Sequence, residues 1–282
     1  MLLAIDVGNT NMVMGLYRLA TPEAPATQIH CWRITTPLRQ TLDELRTTVR
    51  ALFAMDGVNI SSVDGVAISS VVPPIDSLLR NACEKLFGVK PLFVEPGIKT
   101  GLPVLVDNPA EVGADRIVNC VAAFERYGGP TIVVDLGTAT TFDAISPRGE
   151  YIGGAIAPGI GISADALFEN AAKLGRVNIR KPSKVIGTNT VDHIQIGLYY
   201  GYIGLMDGIC ERMIAEMGPD TKVIATGGFA RLLSESSRTI KAVDDNLTLD
   251  GVRMIYERNH ERNRRRPQPL TQPTTPPHAR TE

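Results

Sequence analysis

Leu2 to Ile5 form a short apolar run, Asp6-Val7-Gly8-Asn9-Thr10-Asn11 interrupts it with polar and turn-forming residues, and Met12 to Tyr17 resumes it. Two β-compatible runs around a polar tip predict a hairpin. The period then changes. Leu42, Leu45, Val49 and Leu52 recur at spacings of three or four, which predicts a helix over 41–53. Val66 to Val72 reads as a buried strand stopped by Pro73-Pro74, 75–87 as a helix and 91–94 as a short strand. A further helix is expected over 112–127, with Ile117, Cys120, Val121 and Phe124 on one side.

The opening pattern returns 129 residues after its first appearance. Thr131 to Val134 is apolar, Asp135-Leu136-Gly137-Thr138-Ala139-Thr140 turns, and Thr141 to Ile145 continues. An element repeated at half the chain length predicts a duplicated domain. Residues 158–174 contain a helix, 190–217 are mostly helical, and 222–225 form a strand leading into Thr226-Gly227-Gly228-Phe229-Ala230 and another helix. Strands alternating with helices in two related halves predict an α/β protein of two lobes.

The composition agrees. At 282 residues, 44% hydrophobic and 21% charged, the chain can bury a sizeable core and is no disulfide scaffold, collagen, coiled coil or disordered chain. The net charge of −1 hides an asymmetry. Residues 260–282 hold five Arg against two Glu, a net +3, and leave −4 on 1–259. With five Pro and one large aliphatic residue, Leu270, that end is expected to be a disordered basic tail. Arg264-Arg265-Arg266 reads as a solvated terminus in preference to an anion contact, and no nucleic-acid partner is expected. Cys31, Cys83, Cys120 and Cys210 are far apart and the four His form no ligand cluster, so reduced thiols are expected in place of a zinc site. Asp6 interrupts the N-terminal apolar run and no stretch reaches about 20 apolar residues, so neither a signal peptide nor a membrane span is expected and the cytoplasm is the default compartment.

Each hairpin tip sets an Asp beside Gly and Thr. Gly lets a phosphate approach the backbone, successive N–H groups and the Thr hydroxyl can hold its oxygens, and the Asp suits a hard cation. One such tip is ordinarily a plain turn; two at the ends of apolar strands suggest a clamp on a nucleotide triphosphate between the lobes. Thr226-Gly227-Gly228 alone reads as an ordinary strand-to-helix turn, and its place after the two hairpins suggests a surface for base and ribose. Gly113-Ala114-Asp115-Arg116 opens a helix. Asp115 is either a helix-dipole partner or an ionised group aimed at a substrate hydroxyl, with Arg116 suited to a carboxylate.

Seven ordered segments carry a resemblance: Asp6 to Val13, Ile68 to Pro73, Asn108 to Ile117, Val134 to Phe142, Gly153 to Ile160, Gly187 to Val191, and Ala225 to Ala230. Together they resemble the type III pantothenate kinases, members of the actin/hexokinase/Hsp70-like ATPase superfamily. The resemblance implies duplicated ribonuclease H-like (actin-like ATPase) domains with an inter-lobe cleft. The lobes are expected at 1–115 and 116–259, with the tail at 260–282. It also implies transfer of the ATP γ-phosphoryl to the terminal hydroxyl of pantothenate, the first step of coenzyme A biosynthesis.

By position, Asp6, Val7, Gly8, Asn9, Thr10, Asn11, Met12 and Val13 are implied to bind ATP, with Thr138 as a further contact. Gly113, Ala114, Asp115, Arg116 and Thr190 are implied to bind pantothenate, with Asp115 as proton acceptor. Asp135 is implied to hold a monovalent cation, K⁺ or NH₄⁺, and Asp6 is placed to hold Mg²⁺. The family also implies a homodimer with sites at the subunit interface. Val106 stands where relatives often have Tyr, and neither it nor His193 is given a role. Two other readings keep the fold: a kinase of another small hydroxyl compound, and a non-catalytic regulator.

Overall fold

The computed structural model describes residues 1–171 and 173–265, with side chains described through residue 260. Ten strands and seven helices follow in chain order: β1 (Leu2–Val7), β2 (Asn11–Arg18), β3 (Thr27–Thr35), α1 (Leu42–Met55), β4 (Gly65–Ser70), α2 (Asp76–Phe87), β5 (Leu92–Phe93), α3 (Ala114–Tyr127), β6 (Thr131–Leu136), β7 (Ala139–Ile145), β8 (Tyr151–Pro158), α4 (Ile160–Asn170), α5 (Thr190–Met217), β9 (Lys222–Thr226), α6 (Ala230–Ser234), β10 (Ala242–Val243) and α7 (Leu247–Arg265).

The repeat seen in the sequence is a repeat of architecture. The first sheet has the order β3-β2-β1-β4-β5 and the second β8-β7-β6-β9-β10, so each element has its counterpart. β1 and β6 bury the same positions: four residues and the sixth are buried, and the fifth, Asp6 or Asp135, is half-buried. Each Asp lies near the C-terminal end of its strand, beside a parallel neighbour. Asp6 stands opposite Ser69 of β4 and Asp135 opposite Thr226 of β9. Ligands in open α/β sheets bind off these carboxyl ends.

The sheets are covered on both faces, which is why β1, β4 and β6 read as nearly unbroken apolar runs. Trp32, Leu45, Phe53, Ile68 and Leu79 form the outer core of the first sheet, beneath α1 and α2. Val134, Phe142, Tyr199, Met206 and Leu233 form the outer core of the second. Between the sheets lies a third core, in which Leu2 and Ala4 meet Val118 and Val121 of α3, Val133 and Ile145, and Val252 and Ile255 of α7. The last helix therefore packs on the first sheet, crossing back from the second half. Arg126 of α3 ties this layer together through ion pairs to Asp244 and Asp250.

Several elements depart from the sequence reading. β3 and β8 were not anticipated: both are edge strands, where exposure removes the apolar run, and β8 carries Gly153 and Gly154. The second hairpin resumes at Ala139, two residues before the expected Thr141. Helix α7 continues through Arg265, so His260 to Arg265 are helical where the tail was expected to begin. Its buried Val252, Ile255 and Tyr256 anchor a helix that extends beyond its packed face. The rest of the expected tail lies outside the described residues.

Asp207 of α5, only 1% exposed, fixes the chain between α6 and β10. It accepts hydrogen bonds from the Ser237 hydroxyl at 2.6 Å, the Arg238 N–H at 3.0 Å, and the Thr239 hydroxyl and N–H at 2.8 and 3.2 Å. Asp207→Ala strands these donors and is expected to destabilise the protein by about 3 kcal/mol. Chemical denaturation checks this, and an unchanged midpoint would contradict it.

Candidate active site

The two hairpin tips meet. Thr10 Oγ1 and Thr138 Oγ1 are 3.0 Å apart, one from each lobe. Gly8 N–H donates to Asn11 O at 3.0 Å in the first tip, and Gly137 N–H donates to Ala139 O at 3.1 Å in the second. Of the expected ATP loop, Val7 and Met12 turn their side chains into the core and Val13 packs against it, so these residues present backbone only. Gly8, Asn9, Thr10 and Asn11 form the accessible tip.

Three carboxylates gather behind the tips. Burial pushes the Asp6 carboxyl up to about 7, Asp115 and Asp135 add to the rise, and Ser69 and Arg33 oppose it. Asp135 is pushed up to about 6, chiefly by burial and then by Asp115, against a hydrogen bond donated by Asn119 Nδ2 to its Oδ2 at 3.0 Å. Burial also raises Asp115, although the Arg116 N–H donates to its Oδ1 at 2.8 Å. Asp115 and Asn119 are four residues apart on α3 and so share a helix face, which aims both at the end of β6.

Local sequence explains the placement of α3. Asn108 caps a short turn over 109–111, accepting from Ala110 N–H and donating to Glu111 Oε1 at 2.7 Å. Gly113 then caps α3. The Thr226-Gly227 turn closes over Asp135. Gly227 has φ +94°, and a Cβ there would stand 2.5 Å from Asp135 Oδ1.

Arg116 is not a loose cation. Its Nε donates to Asp143 Oδ1 at 2.7 Å, and a second guanidinium nitrogen lies 2.7 Å from the same oxygen. Asp143 is fully buried and also accepts from Tyr151 OH at 3.0 Å and Thr141 Oγ1 at 3.1 Å. Burial works against the Arg116 charge, and Asp143 outweighs it, holding the guanidinium above its ordinary pKa. Gly154 makes room, since a Cβ there would come within 2.9 Å of the guanidinium and 1.9 Å of Phe142 O. Sequence reasoning missed Asp143 and Asn119. The available signal for Asp143 was a charged residue in the middle of a buried strand.

Thr190 starts α5, is exposed, and makes no hydrogen bond to the carboxylate cluster among the described residues. Of the expected acceptor segment, Asp115 and Arg116 come together with Asp135 and Asp143, while Gly113 and Ala114 form the start of α3 that carries them.

Oxygen donors with clustered, raised carboxylates fit hard cations. The Asn119 Oδ1 and Thr140 Oγ1 oxygens are also buried without a hydrogen-bond partner. No group of three or more acidic, His or Cys side chains among the described residues forms an all-protein metal cage.

Two sheets of one topology, each with an Asp near the carboxyl end of its central strand, make up an actin-like ATPase fold. Solved structures share it: a Baf family protein from Campylobacter jejuni aligns with a TM-score of 0.56 at 20% identity, covering 92% of this chain and 99% of that one. The activator of the 2-hydroxyisocaproyl-CoA dehydratase from Clostridium difficile, with bound ADPNP, aligns with a TM-score of 0.51 at 11% identity, covering 95% and 99%. Within that fold, residues 2–212 match the model of the type III pantothenate kinases. The type III pantothenate kinase of Koribacter versatilis is 58% identical over 264 residues, 92% of this chain and 96% of its own. That of Acidobacterium capsulatum is 57% identical over 261 residues, 91% and 94%. The chain belongs to the type III pantothenate kinase family.

The raised carboxyls have a measurable cost. In protein cleared of cations by a chelator, the native state binds the Asp6 proton more tightly than the unfolded chain does. The resulting stabilisation is complete below the ordinary Asp pKa of about 4 and is lost as pH rises through about 7. Asp6→Asn, neutral throughout, is expected to exceed the parent in stability at pH 8 by on the order of 3 kcal/mol, with the gain closing towards pH 4. Denaturant titrations at the two pH values check this, and equal stability at pH 8 would contradict it.

Proposed function

We propose that the chain transfers the γ-phosphoryl of ATP to the terminal hydroxyl of pantothenate, giving 4′-phosphopantothenate, a transferase step that opens coenzyme A biosynthesis. The observation that carries the reading is the convergence of Asp115 with Asp6 and Asp135 behind the touching Thr10 and Thr138 tips, in a chain of this family.

Gly8 to Asn11 and Thr138 hold the phosphates in this reading, with the lobes divided as 1–115 and 116–259. Asp115 accepts the proton of the attacking hydroxyl as the new O–P bond forms and the bond to ADP breaks. Burial raises its pKa above the ordinary carboxylate value and so makes it a stronger base, and the Arg116 N–H on Oδ1 fixes its orientation and leaves Oδ2 to the hydroxyl. Arg116, set by Asp143, meets the pantothenate carboxylate. Asp6 would hold Mg²⁺ and Asp135 the monovalent cation, K⁺ or NH₄⁺. Bound there, these ions supply positive charge opposite the phosphates.

A homodimer is part of the proposal. Ile152 and Ile156 of β8, Ile162 of α4, and Ile186 and Val191 around the start of α5 are all exposed, Ile186 at 84%. Ile186 and Val191 flank exposed Thr190 in the chain, and a shared interface would bring Thr190 to the pantothenate site. No helix among the described residues is long and apolar enough to cross a membrane, and the cytoplasm is the proposed compartment.

Formation of 4′-phosphopantothenate by purified protein tests the reading. Product is expected with ATP, Mg²⁺ and K⁺, and replacement of K⁺ by Na⁺ is expected to lower turnover steeply. Asp115→Asn is expected to lose at least about 10²-fold in kcat with an unchanged melting temperature. Near-parental turnover in that variant would refute the base. ADP release with a different hydroxyl compound and none with pantothenate would refute the acceptor.

Asp143→Asn keeps the shape but removes the charge that orients Arg116. Its KM for pantothenate is expected to rise about tenfold or more while KM for ATP changes little. Equal changes in both would contradict the positioning role.

A further inference from the structure

Arg33 lies in β3, the edge strand of the first sheet, and is exposed. No ion pair or side-chain hydrogen bond joins it to another residue among those described. Its position is nonetheless specific. Arg33 stands opposite Val13, Val13 opposite Asp6, and Asp6 opposite Ser69, in one row across four strands. Residues directly opposed in a sheet project from the same face, so Arg33 shares the face of Asp6. Two strand spacings, about 10 Å, separate their backbones, and the long arginine stem covers much of that gap. The Arg33 charge already acts on the Asp6 carboxyl, drawing it down against burial.

The strand that carries Arg33 is also fastened to the first phosphate tip. Just beyond β3, Thr36 N–H donates to Thr10 O at 3.0 Å, and the Thr36 hydroxyl donates to Gly8 O. Movement of the tip therefore carries the end of β3 with it. The duplicated half offers a control within the molecule. Its matching row is Ile156, Thr141, Asp135 and Thr226, so an aliphatic residue occupies the place of Arg33. Of the two rows, only the one containing Asp6 brings a cation.

We infer that Arg33 contacts the terminal phosphoryl group of the nucleotide from the β3 side and is a further catalytic residue of the phosphoryl transfer. The inference rests on the reading of the hairpin tips as a phosphate clamp. A guanidinium presents several donors in a plane that matches phosphate oxygens. Placed on the transferring group, it offsets the negative charge of its equatorial oxygens during in-line transfer. The competing role for Arg33 is that of an edge-strand charge that discourages pairing with another sheet. That role requires no preference between ATP and ADP.

The test compares full-length parent, Arg33→Gln and Arg33→Lys. Calorimetric titration with Mg²⁺-ATP and with Mg²⁺-ADP, without pantothenate, reads nucleotide affinity independently of the acceptor. Arg33→Gln is expected to weaken ATP about ten- to hundredfold and ADP by less than about threefold. It is also expected to lower kcat by about 10²-fold, with KM for pantothenate and the melting temperature little changed. Arg33→Lys is expected to fall between the two. Arg33→Gln that binds ATP and turns over like the parent overturns the inference, as does equal loss of ATP and ADP affinity. Parent protein that binds no ATP overturns the clamp itself, and the inference with it.

Discussion

Burying three carboxylates within electrostatic reach of one another is the constraint on which this structure depends. Asp6, Asp135 and Asp115 come from two sheets and an intervening helix, and each is pushed up by loss of water and, for the first two, by its neighbours. Like charges at such proximity are unfavourable in any fold that has no use for them. Here the repulsion is tempered by Asn119, Ser69 and Arg33.

The scaffold is built to hold that arrangement. Two copies of one sheet topology place their Asp residues at matching positions near the carboxyl ends of β1 and β6. The layer of α3 and α7 between the sheets then sets the distance between the copies. α3 does double duty, since its buried side joins the lobes while its first turn delivers Asp115 and Arg116. Burial also explains the second charge pair. Arg116 is held by a fully buried Asp143, so its direction is set before any acceptor arrives.

Much of this was legible in the chain. The apolar runs of β1, β4, β6 and β9, the periodicity of α1 and α3, and the repeated Asp-Gly-Thr tips all announce themselves, because two-sided burial and loop chemistry leave strong patterns. The edge strands β3 and β8 did not, since exposure replaces the apolar run with mixed side chains and glycines. Asp143 and Asn119 act through register and helix facing, which pair residues far apart in sequence. The same is true of Arg33, whose relation to Asp6 exists only across the ladder.

A crystal structure of the protein with a non-hydrolysable ATP analogue, Mg²⁺, K⁺ and pantothenate tests the central claim most directly. The account places the triphosphate between the Gly8–Asn11 tip and Thr138, with Asp115 within hydrogen-bond distance of the terminal hydroxyl of pantothenate. A nucleotide bound away from the two tips, or a pantothenate hydroxyl out of reach of Asp115, would contradict it.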